Sequence, residues 1–135
     1  MPRLSREARQ SVLRQRIGTL NLKRTACLDA LLGLKDLFAA SLSVVYRTCG
    51  KKTCACVRGK PHGPYLFLSI QSAGRNDRYH VSSPVAQRMK PALDRYRRFI
   101  LALRQLRSLD REMEMLVRRL QSLCETRSVR SFTTS

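Results

Sequence analysis

The sequence predicts an α+β protein in which two long helices flank a short β-rich module. Two apolar repeats with helical spacing, one in each half of the chain, predict the helices. Between them, β-branched and aromatic residues alternate with glycine and proline, as is typical of short strands and tight turns. At 135 residues the chain has the size of a single domain. We expect helix 1 over residues 3–39, the module over 41–82, helix 2 over 84–125 and a flexible tail over 126–135.

The first helix is predicted from apolar residues that recur in alternating steps of four and three, the spacing of a heptad repeat. Arg24 interrupts the series, and Gly18 and Gly33 each weaken a helix by about 1 kcal/mol relative to alanine. Packing therefore has to stabilise this helix. The series consists of Leu13, Ile17, Leu20, Cys27, Leu31, Leu34 and Phe38.

The second helix shows the same spacing, with Asp110 as its polar exception. Ser83 and Pro84 suit an N-cap and a first helical position, and Pro91 either kinks the helix or marks its start. Two such helices joined by a compact module predict an antiparallel, coiled-coil-like pair, although the same heptads would also suit a homodimer or a larger protein partner. The second series is Tyr96, Phe99, Leu103, Leu106, Met113, Val117, Leu120 and Cys124. Cys27 and Cys124 are expected to be buried structural cysteines.

The central module is predicted to be a small antiparallel sheet with strands over residues 42–48, 65–70 and 78–82. Residues 72–77 form the turn between the last two strands. A sheet of this size has too little apolar area to be stable alone, so a further stabilising element is expected.

Four residues in this module have the chemistry of a zinc site: Cys49, Cys54, Cys56 and His62. Three thiolates and one imidazole suit tetrahedral zinc, and nearby glycines and prolines favour a loop that folds back on itself. His80 is the alternative to the favoured His62 as fourth ligand. With neither histidine bound, the metal would keep the open position of a catalytic site. A disulfide is disfavoured because the N-terminus lacks an apolar export segment.

The charge of the chain predicts a polyanionic partner. Its 27 basic residues exceed its 9 acidic residues, the net charge is +18 and the pI is near 11.2. Arginine, which makes bidentate phosphate contacts and stacks on bases, outnumbers lysine by 21 to six and favours nucleic acid, with DNA preferred over RNA. The predicted contacts are Arg47, Lys51, Lys52, Arg58, Lys60, Arg75, Arg78, Arg97, Arg98 and Arg104. Candidates for base stacking are Tyr65, Phe67 and Tyr79, although core packing is favoured for Phe67.

Three short motifs resemble an uncharacterised prokaryotic family of small proteins that contain a domain of unknown function. The resemblance spans roughly residues 40–120. It implies a helix, a zinc-like β module and a second helix, and it points to accessory genes of mobile elements or phages. The present chain differs from that family in its longer and more basic first helix. The motifs are Cys49-Gly50-Lys51, Cys54-Ala55-Cys56 and His62-Gly63-Pro64-Tyr65.

The predicted function is a small zinc-dependent nucleic-acid-binding protein that acts as an accessory or regulatory factor. The alternative is a coiled-coil adaptor that docks a larger DNA-processing enzyme, which would tolerate charge reversal at Arg47, Lys51 and Lys52. No catalytic activity is expected, because the few acidic residues form no carboxylate cluster and lie in no recognisable catalytic spacing with histidine or serine.

The expected location is the cytoplasm, without membrane contact. The most apolar runs are too short to cross a bilayer. The arginine-rich N-terminus could resemble an organellar transit peptide, but its apolar pattern continues without a break into the first helix.

Overall fold

The computed structural model describes residues 2–133 and confirms the α+β class, with two long helices and a three-stranded antiparallel sheet. The long helices are α1, Arg6–Gly33, and α2, Ser83–Cys124. The strands are β1, Ser41–Arg47, β2, His62–Ser72, and β3, Arg75–Val81. A 3₁₀ turn, Ala55–Arg58, follows β1, and a single helical turn, α3, Arg130–Thr133, lies within the segment predicted to be a flexible tail.

The chain forms two compact units. The helical unit contains α1 and the part of α2 that begins at Leu101. The sheet unit spans Leu34–Ile100 and contains the three strands, the cysteine-rich loop and the first part of α2. That the chain is a single domain, as its length suggests, stays a prediction. Within the described residues, no helix combines the length and the apolar character needed to cross a membrane.

In the helical unit, α1 packs antiparallel to α2. The buried core is formed by Leu20, Cys27, Leu109 and Leu116. The Arg6 guanidinium near the start of α1 donates to the carbonyl of Leu123 near the end of α2. Further along α1, the Cys27 thiol donates to the carbonyl of Ala102 at 3.1 Å. Half-buried apolar residues extend the core: Leu13, Ile17, Ala102, Leu106 and Met113.

The two polar residues that interrupt the heptad patterns pair with each other. Arg24 of α1 donates through Nε to Asp110 Oδ1 of α2 at 2.5 Å. Both side chains stay partly exposed, so the pair contributes at most about 1 kcal/mol to stability. Its main consequence is geometric, because it leaves neither polar group unpaired at the edge of the apolar contact.

The buried stripe of α2 lies one residue away from part of the predicted series. Leu116 is 2% exposed, whereas Val117 is 50% exposed, and Cys124 is exposed rather than buried. This difference follows from the sequence, because the buried series has an apolar residue at every position, whereas the predicted series contains Asp110. The buried series is Ala102, Leu106, Leu109, Met113 and Leu116. When this uninterrupted stripe packs against α1, Asp110 lies at the edge of the apolar contact and not within it.

The ends of the helices also differ from the predicted ones. The first helix ends at Gly33, so Leu34 and Phe38 lie beyond it, and Asp36 adopts a left-handed backbone with φ 54°. The second helix begins at Ser83, and Pro91 therefore lies inside it. The amide of Phe38 donates to the carbonyl of Ala92 in the sheet unit, which fixes the connection to β1 against α2.

The sheet has the order β1-β2-β3, and its two faces differ in chemistry. Leu66 lies opposite Val44 and Val81, and its face is apolar, with Leu68 only 3% exposed. On this side, Leu42 of β1 and Leu93 of α2 line the same hollow, which places the apolar face towards α2. The opposite face carries these cross-strand neighbours: Ser43, Val45, Tyr65, Phe67, Ser69, Arg78 and His80.

Leu116→Ala is expected to destabilise the helical unit by about 2–5 kcal/mol, because it opens a cavity where the side chain is fully buried. Val117→Ala, one residue further along, is the control and should change the free energy of unfolding by no more than about 0.5 kcal/mol. Urea unfolding followed by circular dichroism measures both variants. Equal effects, or a larger loss for Val117→Ala, would contradict the observed stripe.

Candidate metal centre and the sheet face beside it

The loop after β1 folds back because two glycines take up left-handed backbone conformations. Gly50 has φ 77°, and Gly59, which ends the 3₁₀ turn, has φ 94°. Between them, the amide of Cys54 donates to the carbonyl of Lys51 at 3.1 Å. The resulting turn brings Cys54 and Cys56 next to Cys49, which stands just beyond the end of β1.

A β-bulge at the start of β2 brings the histidine to the same place. Val45 pairs with Tyr65, but Arg47, two residues later, pairs with His62, three residues earlier. The extra residue in β2 shifts the alternation of side chains, so His62 and Tyr65 lie on the same face of the sheet. Gly63 in the bulge has φ 139°, and a Cβ atom there would lie 2.9 Å from the carbonyl oxygen of Val45. The bulge therefore requires glycine at this position.

The four ligand atoms of Cys49, Cys54, Cys56 and His62 all lie within 4.8 Å of one another. The sulfur atoms of Cys49 and Cys56 are 3.5 Å apart, and Cys54 Sγ lies 3.2 Å from His62 Nε2. A tetrahedral site with metal–sulfur bonds of about 2.3 Å would separate neighbouring sulfur atoms by about 3.8 Å. All five cysteines of the chain are free thiols. The cluster is therefore compact enough to hold a metal ion.

Hydrogen bonds within the loop already favour the thiolate form of two cysteines. The backbone of Lys51, with the side chains of His62 and Cys56, lowers the pKa of Cys49. The backbone of Cys56, with the Cys56 and Cys49 side chains, lowers the pKa of Cys54. The amide of Cys49 also donates to Cys56 Sγ, but burial and the two neighbouring thiols outweigh it and raise the pKa of Cys56. A bound cation would remove that penalty, because it compensates the charge of a buried thiolate.

His80, the alternative ligand, contacts aromatic rings instead of the thiols. Its ring lies edge-on to Phe67, with centroids 5.5 Å apart, and 6.2 Å from the ring of Tyr65. It belongs to β3 and stands directly opposite Phe67 in the register. The choice of His62 as the fourth ligand stays a prediction, and the compact cluster favours it.

The sheet face next to the cysteines combines aromatic and basic side chains, and we call it the aromatic face: Arg47, Tyr65, Phe67, Arg78 and His80. The guanidinium carbons of Arg47 and Arg78 lie 5.1 Å and 4.9 Å from the centroid of the Phe67 ring. This distance is that of a cation–π contact. A hollow of about 460 Å³ opens here, lined by Arg47, Thr48, Cys49, His62, Tyr65, Phe67 and His80.

The ten basic residues predicted to contact nucleic acid are all exposed. Nine lie in the sheet unit, on the strands, in the cysteine-rich loop and in the first part of α2, while Arg104 lies in the helical unit. Within residues 2–133, none of the ten forms an ion pair. Their assignment to nucleic-acid contacts stays a prediction.

Sequence reasoning did not assign His80 to the aromatic face, and it favoured core packing for Phe67 while keeping Tyr79 as a candidate for stacking. Strand register supplies the missing signal, because Phe67 pairs with His80, whereas Tyr79 pairs with Leu68 on the other face. Phe67, expected in the core, is half-buried under two guanidinium groups instead.

Fold and site together define a small, strongly basic α+β protein with a Cys₃His cluster at the edge of its sheet. The chain belongs to a family described as a domain of unknown function, DUF6788, whose model matches residues 2–82. This confirms the resemblance to a family of unknown function. The match includes α1 and the whole sheet but ends before α2. No curated protein and no solved structure matches the chain.

Gly63→Ala is expected to destabilise the sheet unit by more than Gly50→Ala, with a difference of at least about 1 kcal/mol. Both glycines have positive φ, which costs an alanine on the order of 1–3 kcal/mol. Only at Gly63 does the new Cβ also collide with the Val45 carbonyl and the Tyr46 ring, whereas Gly50 faces open space.

Thermal unfolding followed by tyrosine fluorescence measures this difference, because all four tyrosines lie in the sheet unit. Equal stability of the two variants would show that the bulge does not depend on glycine.

Proposed function

We propose that this protein is a zinc-binding module that binds nucleic acid and carries out no reaction of its own. The observation that carries the proposal is the convergence of three thiols and one imidazole within 4.8 Å, in a unit, residues 34–100, whose many basic side chains form no ion pairs. DNA is the proposed partner, and an accessory or regulatory role for a mobile element or phage is the proposed context.

Zinc is supported by the donor set. Three sulfur ligands and one nitrogen ligand fill a tetrahedral shell and suit zinc better than hard cations, which prefer oxygen. A filled shell leaves no position for a reacting water, which is the arrangement of structural rather than catalytic sites. The small sheet also has a physical need for such a site, because few of its side chains are fully buried.

Nucleic-acid binding is supported by the charge distribution in the sheet unit. Between residues 41 and 82 the chain has seven basic residues, and its only acidic residue is Asp77. Since the predicted contacts are exposed and lack ion pairs in residues 2–133, phosphate groups would meet cations that carry no competing carboxylate. Such a surface binds nucleic acid by releasing counterions, and its affinity should therefore depend strongly on the salt concentration.

The purified protein is expected to contain one zinc ion per chain, as measured by elemental mass spectrometry. Cys54→Ser and His62→Ala should lose most of the metal, because each removes a donor from the cluster. Cys124→Ser and His80→Ala are the controls and should retain it, since neither residue belongs to the cluster. Retention of zinc by His62→Ala together with its loss in His80→Ala would assign the fourth ligand to His80.

Binding to a DNA duplex is expected to weaken with salt, with a slope of log K against log [salt] near −5 for about six phosphate contacts. Replacing Lys51 and Lys52 with glutamine should reduce the steepness of this slope by about 2, because two phosphate contacts are lost. Arg118→Gln is the control, since Arg118 already pairs with Glu114 at 2.7 Å. Fluorescence anisotropy at several salt concentrations measures the slopes.

Zinc-loaded protein that shows no salt-dependent binding to DNA or RNA would contradict the nucleic-acid part of the proposal. Unchanged binding in the Lys51→Gln/Lys52→Gln variant would likewise exclude the cysteine-rich loop as a contact. The first result would favour the protein-interaction adaptor and direct the search to its partner, whereas the second would move the nucleic-acid contact to another surface of the protein.

A further inference from the structure

We propose that the aromatic face is a site for single-stranded nucleic acid, in which an unpaired base enters the hollow beside the metal centre. This inference rests on the proposed nucleic-acid function and specifies the form of the ligand. Single-stranded DNA and single-stranded RNA share the unpaired bases and phosphates that such a site would bind, and the test compares the two.

The size and the aromatic lining of the hollow suit an unpaired base. Its volume of about 460 Å³ is within the usual range for sites of small organic groups. Tyr65, Phe67 and His80 line it with three rings, and 36% of Tyr65 is exposed. Bases of every type stack on aromatic side chains, so such a surface takes a strand without reading its sequence.

Two arginines flank the rings where the backbone of a bound strand would pass. Arg47 comes from β1 and Arg78 from β3, and both guanidinium groups contact the same Phe67 ring. Stacking on the ring restricts their orientations before any ligand binds. Both guanidinium groups lie about 5 Å from the centroid of one ring, and no carboxylate lines the hollow beside them. A phosphate of a bound strand beside either guanidinium would supply that missing negative charge.

The combination of rings and arginines distinguishes a single strand from a duplex. In a duplex the bases are paired and stacked, so only phosphates and groove edges can reach a protein surface. The paired bases of a duplex cannot stack on a concave aromatic surface. An unpaired base, in contrast, can unstack from the adjacent bases and stack on Tyr65. A single-stranded nucleic acid is therefore the ligand that can contact both the aromatic rings and the positive charges of the arginines.

The test compares zinc-loaded variants in their binding to a labelled single-stranded oligonucleotide and to a duplex of the same length. Tyr65→Leu removes a ring from the hollow, and Tyr79→Leu is its control on the opposite sheet face. Arg78→Gln removes a guanidinium from the Phe67 ring, and Arg118→Gln is its control, because Arg118 pairs with Glu114 and is not one of the predicted nucleic-acid contacts. Metal content and thermal unfolding are measured for each variant, so that a loss of folding is recognised.

The wild-type protein is expected to bind DNA and RNA single strands at least about tenfold more tightly than the duplex. Tyr65→Leu should weaken single-strand binding about 5- to 100-fold, without changing the salt slope. Arg78→Gln should reduce the steepness of that slope by about 0.7, the value for one phosphate of a single strand. Both controls should resemble the wild type. A fluorescent adenine analogue in the strand should also be quenched on binding, and Tyr65→Leu should reduce the quenching.

Three results would overturn the inference. Tight duplex binding with a steep salt slope, unaffected by Tyr65→Leu, would leave the nucleic-acid function intact and remove only the single-strand site. Displacement of the strand by polyglutamate of equal charge as readily as by unlabelled oligonucleotide would identify a general polyanion surface. Absence of binding to every nucleic acid would remove both this inference and the function on which it rests.

Discussion

The bulge at Gly63 is the constraint on which the arrangement of the sheet unit depends. It inserts one residue into β2, so that His62 and Tyr65 share a face that a regular strand would not give them. The histidine then reaches Cys54, while the tyrosine and Phe67 remain beside the arginines of the neighbouring strands. A single backbone irregularity thus places the metal ligands next to the aromatic face, and the close approach of the Val45 carbonyl explains why glycine occupies it.

Stability is distributed unevenly between the two units. The helical unit has a continuous apolar contact in which Leu20, Cys27, Leu109 and Leu116 are buried. Apart from the cysteine cluster, full burial in the sheet unit is limited to Leu68 of the strands and to Ala86 and Leu93 of α2, among the residues described. A bound metal would therefore matter most where apolar burial is least, because it cross-links a loop that packing alone does not hold.

Much of the fold followed from the sequence because its signals are local. Heptad spacing predicted both helices, and turn residues predicted three strands in an antiparallel sheet, which the structure confirms. The residue types and close spacing of Cys49, Cys54, Cys56 and His62 are enough to predict the cluster that the structure shows. The sequence alone does not determine which face of α2 is buried, because α2 contains two overlapping apolar series. Packing against α1 decides which of the two series is buried. The bulge and the pairing of His80 with Phe67 are properties of strand register, which single residues do not encode.

The family match ends before the helix that covers the apolar side of α1. The matched segment, residues 2–82, includes α1 but none of the α2 residues that cover it, such as Leu109 and Leu116. Without α2, this segment would expose Leu20 and Cys27 to water. In this chain the segment that the family model matches therefore depends on α2, which lies outside the match, to keep the apolar side of α1 out of water.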